Sequence, residues 1–325
     1  MFGCCFRCLV DLQVAYCGLC HTDILLAKGG MTGYERPLVP GHEIVGYVTK
    51  VGANVKKFKV GDRAGAGHQI WSCSYCDDCC SQKESYCPGS VKVFGGKLPD
   101  GYVNKGGFAQ FARINERFVF HVPDNISTAE AAPLFCAGIT VYAPLKYAKV
   151  GPGSKVGIAG IGGLGHLGIK IAKALGAEVY ALSTTPSKKD DCLRMGATHF
   201  INYQKEGDVD SCAKSLDVIV SAASELADFS PLFKLLKNHG ILCSTGLPAG
   251  NIQVPPWELI RNLNLMGTLA GSPSEIEEML VLCSQHNIGA QVEIVPLEKV
   301  NESFERLQKR EVRYRVVLAV NPGRN

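Results

Sequence analysis

The sequence predicts an α/β protein in two parts, a mainly-β first part and a second part built on a doubly wound parallel sheet. Three observations predict it. Up to about residue 136, short apolar runs such as IVGYVTKVG and GGFAQFARI are broken by glycine and proline, the pattern of short strands. From Lys155 the chain changes to a regular alternation of strand and helix patterns, which means βαβ units. At the first strand–helix joint of that alternation stands a glycine turn, GIGGLG at Gly160–Gly165.

The 325 residues, 46% of them hydrophobic, can bury a large core and suit more than one domain. The formal net charge of +4, with no basic run, gives no reason to expect nucleic acid as a partner. The opening MFGCCFRCLV is too short and cysteine-rich for a secretory signal, and Asp11 ends it. The most apolar later run, Val156 to Ile169, is crowded with glycine and contains His166, so it reads as a buried strand and turn rather than a membrane span. A soluble cytoplasmic protein with no membrane partner is the expectation. The 15 cysteines of such a chain point to metal where they cluster. Scattered ones such as Cys192, Cys212, Cys243 and Cys283 read as small buried apolar residues.

In chain order, STAEAAPLFCAGITVYAPLKYA reads as one helix, with Ser127 as N-cap and Glu130 completing a capping box. Val156–Ala159 is a strand, Gly165–Leu175 a helix and Glu178–Leu182 the next strand. The alternation continues through Asp217–Ser221, Pro231–Leu236 and Ile241–Thr245. The tail from Ser274 reads as the helix EIEEMLVLCSQ, the segment VEIVPL, a helix through FERLQKR and a last strand YRVVLAV.

In CSYCDDCCSQKESYC, Cys73, Cys76, Cys79 and Cys87 stand at C-x2-C-x2-C-x7-C. Four thiolates this close can close a tetrahedral shell around zinc and stabilise a loop with little core of its own. An iron–sulfur cluster also takes four thiolates, and Cys80 leaves room for a shifted set. Upstream lie CGLCHTD (Cys17–Asp23) and PGHEIVG (Pro40–Gly46), and far downstream Cys136 in PLFCAGITVY. Cys20, His42 and Cys136 offer two sulfurs and one nitrogen, the three-ligand set of a zinc site with an open position. Cys2His is one of the ligand sets that hold a catalytic zinc.

In these motifs, and in GIGGLG and the closing VRYRVV, the chain resembles the zinc-containing medium-chain alcohol dehydrogenases, in the branch similar to cinnamyl alcohol dehydrogenase, from about Asp11 to Val320. The resemblance implies a GroES-like mainly-β catalytic domain over 1–136 with a structural-zinc lobe at 72–88, a Rossmann coenzyme domain over 137–272, and a return to the catalytic domain over 273–325. It implies two zinc ions, one catalytic on Cys20, His42 and Cys136 and one structural on the four-cysteine ladder. It also implies roles: Asp23 orients His42, Glu43 approaches the metal, Thr22 bonds the substrate oxygen and starts the proton path, and His21 faces the cofactor pyrophosphate. One position departs. Many members place a proton-relaying histidine five residues after the cysteine ligand, where this chain has Leu25. An aliphatic side chain relays nothing, so slower proton release with an intact hydride step is expected.

The strand before and helix after GIGGLG give the motif its meaning: Gly160 makes the tight turn, Gly162 lets the backbone approach a pyrophosphate, and Gly165 lets helix and strand pack close. Gly163 and Leu164 complete the loop, and Thr245 and Gly246 at a later strand end join the expected cofactor contacts. After the next strand, an NAD site places a carboxylate on the ribose 2′-hydroxyl. This chain has Ser183, Thr184, Thr185 and Lys188 there, hydroxyls and a lysine that suit a 2′-phosphate, so NADP(H) is expected. Asp190 and Asp191 begin the following helix.

The resulting expectation is a zinc-dependent oxidoreductase passing hydride between NADP(H) and primary alcohols or aldehydes, aromatic or medium-chain aliphatic. Trp71, Phe94 and Leu26 are candidates for the substrate wall. A polyol dehydrogenase on the same scaffold is a rival, opposed by Cys136, which many of those replace with glutamate. A non-catalytic dinucleotide-binding homologue is another, favoured by an N-terminus about a strand pair, some ~25 residues, shorter than the family's, with FGCCFRC as a stretch of its own. Lost edge strands would expose backbone groups and lower stability. The family's assembly is a homodimer, with LNLMGTLAG near 263–271 as its pairing edge.

Overall fold

A computed structural model of the protein describes residues 6–30, 36–223, 228–246 and 251–323, so the Phe2–Cys5 part of FGCCFRC lies outside the described residues. The chain divides into two compact units, Met1–Cys136 with Gly271–Asn325, and Ala137–Ala270. Among the described residues no helix is long and apolar enough to cross a membrane.

The first unit is organised by the strand Leu9–Gly18, which pairs antiparallel with three others: Ile44–Val51 along its length, Phe111–Asn115 over its first half and Arg315–Ala319 over its end. The sheet continues through Arg63–Ala66 to Phe120–His121 on one side and to Val292–Pro296 on the other. Val10, Leu12 and Val14 alternate into a core with Ile44, Val48 and Ile114, the period-2 pattern of a half-buried strand. Two register shifts, at Asp11/Leu12 and Val14/Tyr16, bend this strand. Across the register Arg113 holds Asp11 with two hydrogen bonds of 2.6 and 2.8 Å. Leu19 then donates to the Val316 carbonyl, so the strand delivers Cys20 at a fixed place. Gly271 and Ser272 lie with this unit: Gly271 accepts from Ser85 Oγ at 2.8 Å, and Ser272 forms a capping box with Glu275 that starts the helix Pro273–Gln285.

The helix expected over 127–148 is three pieces. Thr128–Ala131 is helical, Ala132–Phe135 tightens to a 3-10 turn, and Ala137–Tyr147 resumes. Cys136 between them leaves helical backbone at φ −128°, ψ −73°. Pro133 lacks the N–H an α-turn would use there, and the buried Phe135 ring stacks on Phe120 at 6.0 Å, so packing outweighs helical periodicity. Ser127 caps as expected, but Glu130 returns its carboxylate to the Ser127 hydroxyl at 2.8 Å.

The second unit is a six-stranded parallel sheet in the order His199–Asn202, Glu178–Ser183, Lys155–Ala159, Leu216–Ser221, Leu236–Ser244, Asn264–Gly267. Numbered along the chain this is 3-2-1-4-5-6, the order of a Rossmann sheet, with its switch point between Lys155–Ala159 and Leu216–Ser221. The first strand, VGIA, and its neighbours are buried on both faces, which is why they read as apolar runs rather than alternations. The short strand HFIN and the helix Glu206–Ser211 have no counterpart in the sequence reading; four residues are too few for a periodicity to register.

Candidate metal centres and dinucleotide loop

Cys20 stands at the N-terminus of the helix His21–Ala27, and the fully buried Asp23 carboxylate reaches back from its first turn. It accepts from the backbone N–H groups of Cys20 and Gly41, both at 2.9 Å, and meets His42 Nδ1 at 2.9 Å. One side chain thereby ties together the two segments, CGLCHTD and PGHEIVG, that the sequence holds 19 residues apart. An ionised carboxylate only accepts, so His42 carries its proton on Nδ1 and presents Nε2 as the donor atom for a metal.

That Nε2 lies 3.2 Å from Cys136 Sγ, and Cys20 Sγ lies 4.0 Å from Cys136 Sγ. Zinc bound at about 2.3 Å to sulfur and 2.0–2.1 Å to nitrogen in a tetrahedron spaces two sulfurs about 3.8 Å apart and sulfur from nitrogen about 3.6 Å apart. The three residues fit such an ion. The non-helical Cys136 backbone belongs to this fit, because it turns the thiol out of the helix path. Thr22 Oγ1 is 3.7 Å from Cys20 Sγ. Burial pushes the His42 imidazole down, but Asp23 and Cys20 outweigh it and hold its pKa well above the usual value. The Cys136 thiol, hydrogen-bonding Cys20 and buried, is raised well above the usual value, while that bond holds Cys20 well below it. Without a dication the site keeps protons; a divalent ion would displace them.

Glu43, next to His42, joins the same cluster of ligand atoms within 4.8 Å. It is fully buried and ion-paired with buried Arg315. Burial raises the Glu43 pKa against the pull of that arginine. The sequence reading missed Arg315; its signal was an arginine inside the apolar run YRVVLAV, where an unpaired charge could not be buried. Of the wall candidates, Phe94 sets its ring edge-on to His42 at 5.6 Å, while Leu26 and Trp71 belong to the core cluster of the sheet. His21 is exposed and Leu25 half-buried.

Cys73, Cys76, Cys79 and Cys87 bring their sulfurs within 4.8 Å of one another, with Cys73 3.9 Å from Cys79 and 3.5 Å from Cys87. These spacings are too long for disulfides and match the ~3.8 Å of a tetrahedral zinc thiolate, a spacing that suits one ion rather than a multi-iron cluster. Cys80 points away, its thiol 3.6 Å from the Tyr75 carbonyl, which leaves the unshifted ligand set. The Tyr75 backbone N–H holds the Cys73 thiol down at about 6. The Cys79 backbone pulls Cys76 the same way, but burial and the neighbouring sulfurs push it up to about 12. Arg117 ties the lobe down through buried Glu84 and Ser74 Oγ, the latter at 2.9 Å.

In the second unit Gly160 has φ +82°, and a Cβ on Gly165 would stand 2.2 Å from the Gly160 carbonyl, so the turn closes only on glycine at both. A Cβ on Gly162 would meet nothing within 4 Å, which leaves open space at the N-terminus of the helix Gly165–Ala174, ahead of Gly163 and Leu164. A dinucleotide pyrophosphate fits there. Thr245 and Gly246 return to the switch point, both donating to the Ser221 carbonyl, at 2.8 and 3.2 Å. At the end of Glu178–Ser183, Ser183 Oγ accepts from Thr185 N at 3.4 Å, beside Thr184, and Lys188 Nζ reaches the Ile161 carbonyl of the glycine loop at 2.7 Å. Asp190 and Asp191 lie in the next helix, Lys189–Arg194.

Residues 9–124 match the model of the alcohol dehydrogenase GroES-like domain, and residues 163–285 that of the zinc-binding dehydrogenases. Cinnamyl alcohol dehydrogenase 8 of Arabidopsis thaliana is 41% identical over 96% of this chain and 88% of its own length. The mannitol dehydrogenase of Apium graveolens is 40% identical over 96% and 86%. Among solved structures, a Sorghum bicolor cinnamyl alcohol dehydrogenase superposes with TM-score 0.92 at 38% identity, covering 97% of this chain and 90% of that one. A Helicobacter pylori CAD complexed with NADP(H) gives TM-score 0.87 at 33% identity, covering 97% and 91%.

Proposed function

The chain belongs to the zinc-containing medium-chain alcohol dehydrogenases, in their cinnamyl-alcohol-dehydrogenase-like branch, and from that premise we propose how its residues carry the reaction. It is an alcohol oxidoreductase. Our reading is hydride transfer between NADP(H) and primary alcohols or aldehydes, aromatic or medium-chain aliphatic. The observation that carries it is the convergence of Cys20, His42 and Cys136, from three distant segments, at zinc-ligand spacing beside Thr22.

Zinc at this set supplies a Lewis acid for the alcohol or carbonyl oxygen, and NADP(H) supplies or accepts the hydride. Asp23 spends three hydrogen bonds on holding His42 and the Cys20 turn, which fixes a proton on Nδ1 and aims Nε2 at the metal position. Thr22 Oγ1 receives the hydroxyl proton from the substrate side and donates on to water; Leu25 ends any further protein route. Two thiolates against a dication, and Glu43 against Arg315, each sum to zero, so the buried cluster carries no uncompensated charge. The ladder Cys73, Cys76, Cys79 and Cys87 takes a second zinc that holds the lobe.

The loop Gly160–Gly165 and Thr245–Gly246 hold the pyrophosphate side of the cofactor, with His21 a further contact. Preference for NADP(H) is supported by the hydroxyls of Ser183, Thr184 and Thr185 and by the Lys188 ammonium already at the loop. The assembly we propose is a homodimer, supported by Asn264–Gly267 at the edge of the parallel sheet and by exposed Trp257, Ile260 and Leu265 near it. A cytoplasmic location is supported by the free thiols, which a reducing compartment keeps. The test is steady-state kinetics with cinnamaldehyde: NADPH oxidation should exceed NADH oxidation in kcat/KM. Equal or better use of NADH sinks the cofactor assignment, and no oxidation of either sinks the reading.

A further inference from the structure

The first unit holds two basic groups beside the catalytic cluster that the reaction described so far does not use. His68 sits in the turn between the strands Arg63–Ala66 and Gln69–Trp71. A Cβ on Gly67 would stand 2.6 Å from the Phe135 carbonyl, so the turn runs against the segment that delivers Cys136. The His68 carbonyl accepts from Val93 N at 2.8 Å, and Gln69 pairs in register with Lys92. Phe94, two residues beyond Lys92, packs edge-on to His42. His68 and Lys92 therefore flank the His42 and Cys136 side of the cluster.

Among the described residues neither pairs with a carboxylate. His68 Nε2 is buried and bonds to nothing. The half-buried Lys92 ammonium has Ser90 Oγ at 3.0 Å, and among the described residues no carboxylate pairs with it. Burial pushes both groups down from their usual pKa; the charges of Lys92 and His42 lower His68 further, while the nearby Cys87 thiolate pulls Lys92 part of the way back up. A cation and an N–H donor withdrawn from water are unfavourable unless an anion meets them.

We propose that Lys92 and His68 bind a carboxylate carried by the substrate, so that this enzyme prefers aldehydes bearing an acid group a few carbons from the carbonyl. A point charge and one imidazole N–H suit the two oxygens of a carboxylate. This deepens the alcohol dehydrogenase reading and rests on it. The hydride leaves NADPH for the carbonyl carbon and a proton goes to its oxygen, giving the hydroxy acid and NADP⁺. The carboxylate is unchanged.

The experiment compares 5-oxopentanoate with hexanal, a neutral aldehyde of similar length, on the zinc-loaded enzyme, and measures glutarate binding by calorimetry with NADPH bound. Lys92→Met should lower the ratio of the two kcat/KM values about tenfold or more and weaken glutarate binding by a similar factor, while Lys92→Arg keeps both within about threefold. His68→Phe should lower the ratio in the same direction. Should Lys92→Met fail to retain zinc, the native enzyme's glutarate binding and the His68→Phe ratio decide. An unchanged ratio in the variants, or no glutarate binding to the native enzyme, overturns the proposal while hexanal turnover leaves the broader reading standing. If neither aldehyde is reduced, both fall.

Discussion

Replacing Asp23 by asparagine removes a charge and one acceptor while keeping the shape. In the native site Oδ1 accepts from Gly41 N and His42 Nδ1, and Oδ2 accepts from Cys20 N, each at 2.9 Å. An amide has one oxygen and two N–H donors, so either orientation sets a donor against a donor. With the amide nitrogen at the Oδ2 position, the Cys20 N–H loses its partner at the start of the ligand helix. With it at the Oδ1 position, His42 must move its proton to Nε2, the atom that ligates. The site is fully buried, so water does not rescue the lost bond. Losing one charge-assisted hydrogen bond is worth about 1.5–3 kcal/mol. If that loss falls on the metal-bound state, zinc affinity drops by about 10- to 100-fold, the range seen when a partner of a ligating histidine is removed. Competition with a coloured chelator on purified protein measures it. One zinc per chain should leave Asp23→Asn much more readily than from the native enzyme, and the second should leave at the native rate. Equal retention of both ions in variant and native protein would refute the claim that Asp23 prepares His42 as a ligand.

Further outcomes follow from the same structure. Folding should stabilise protonated His42, whose pKa is raised in the metal-free site: that contribution is full below the unfolded value and is lost as pH rises through the folded one. Zinc binding displaces this proton and that of Cys136, so affinity should rise with pH and calorimetry in buffers of different ionisation heat should show proton release; a pH-independent affinity contradicts it. Gly162→Ala should fold normally yet weaken NADPH binding about tenfold or more, whereas Gly165→Ala should lower Tm, because only the second methyl strikes backbone; equal Tm losses would contradict the loop geometry. Lys188→Glu should shift kcat/KM from NADPH toward NADH, with no shift counting against Lys188 as the phosphate contact. Leu25→His should alter the pH–rate profile by restoring a relay, and an unaltered profile removes proton release from the slow steps.

The parallel sheet was legible because its strands are buried on both faces and its helices follow regularly; Val156–Ala159 and Gly165 onward needed no tertiary information. The zinc ladder was legible because its ligands are close in sequence. Cys20, His42 and Cys136 were legible only through resemblance, since no local pattern links segments that meet through the sheet and the Asp23 carboxylate. The break at Cys136 escaped because helix-forming residues flank it on both sides and the forces that open it, the Phe135 packing and the ligand geometry, are tertiary. Arg315 escaped for a related reason: a charge in an apolar strand becomes meaningful only when its partner, Glu43, is known to face it. Lys92 and His68 belong to no motif in the sequence; pairing of Gln69 with Lys92 in the two-stranded sheet is what sets their segments side by side.

The most direct test of the account is zinc content measured together with aldehyde-dependent NADPH oxidation, in the native enzyme and in Cys136→Ser. The account predicts two zinc ions and turnover in the native protein, and one zinc with no turnover in the variant. Two zinc ions with bound NADPH but no turnover in the native protein, or undiminished turnover in Cys136→Ser, would contradict it.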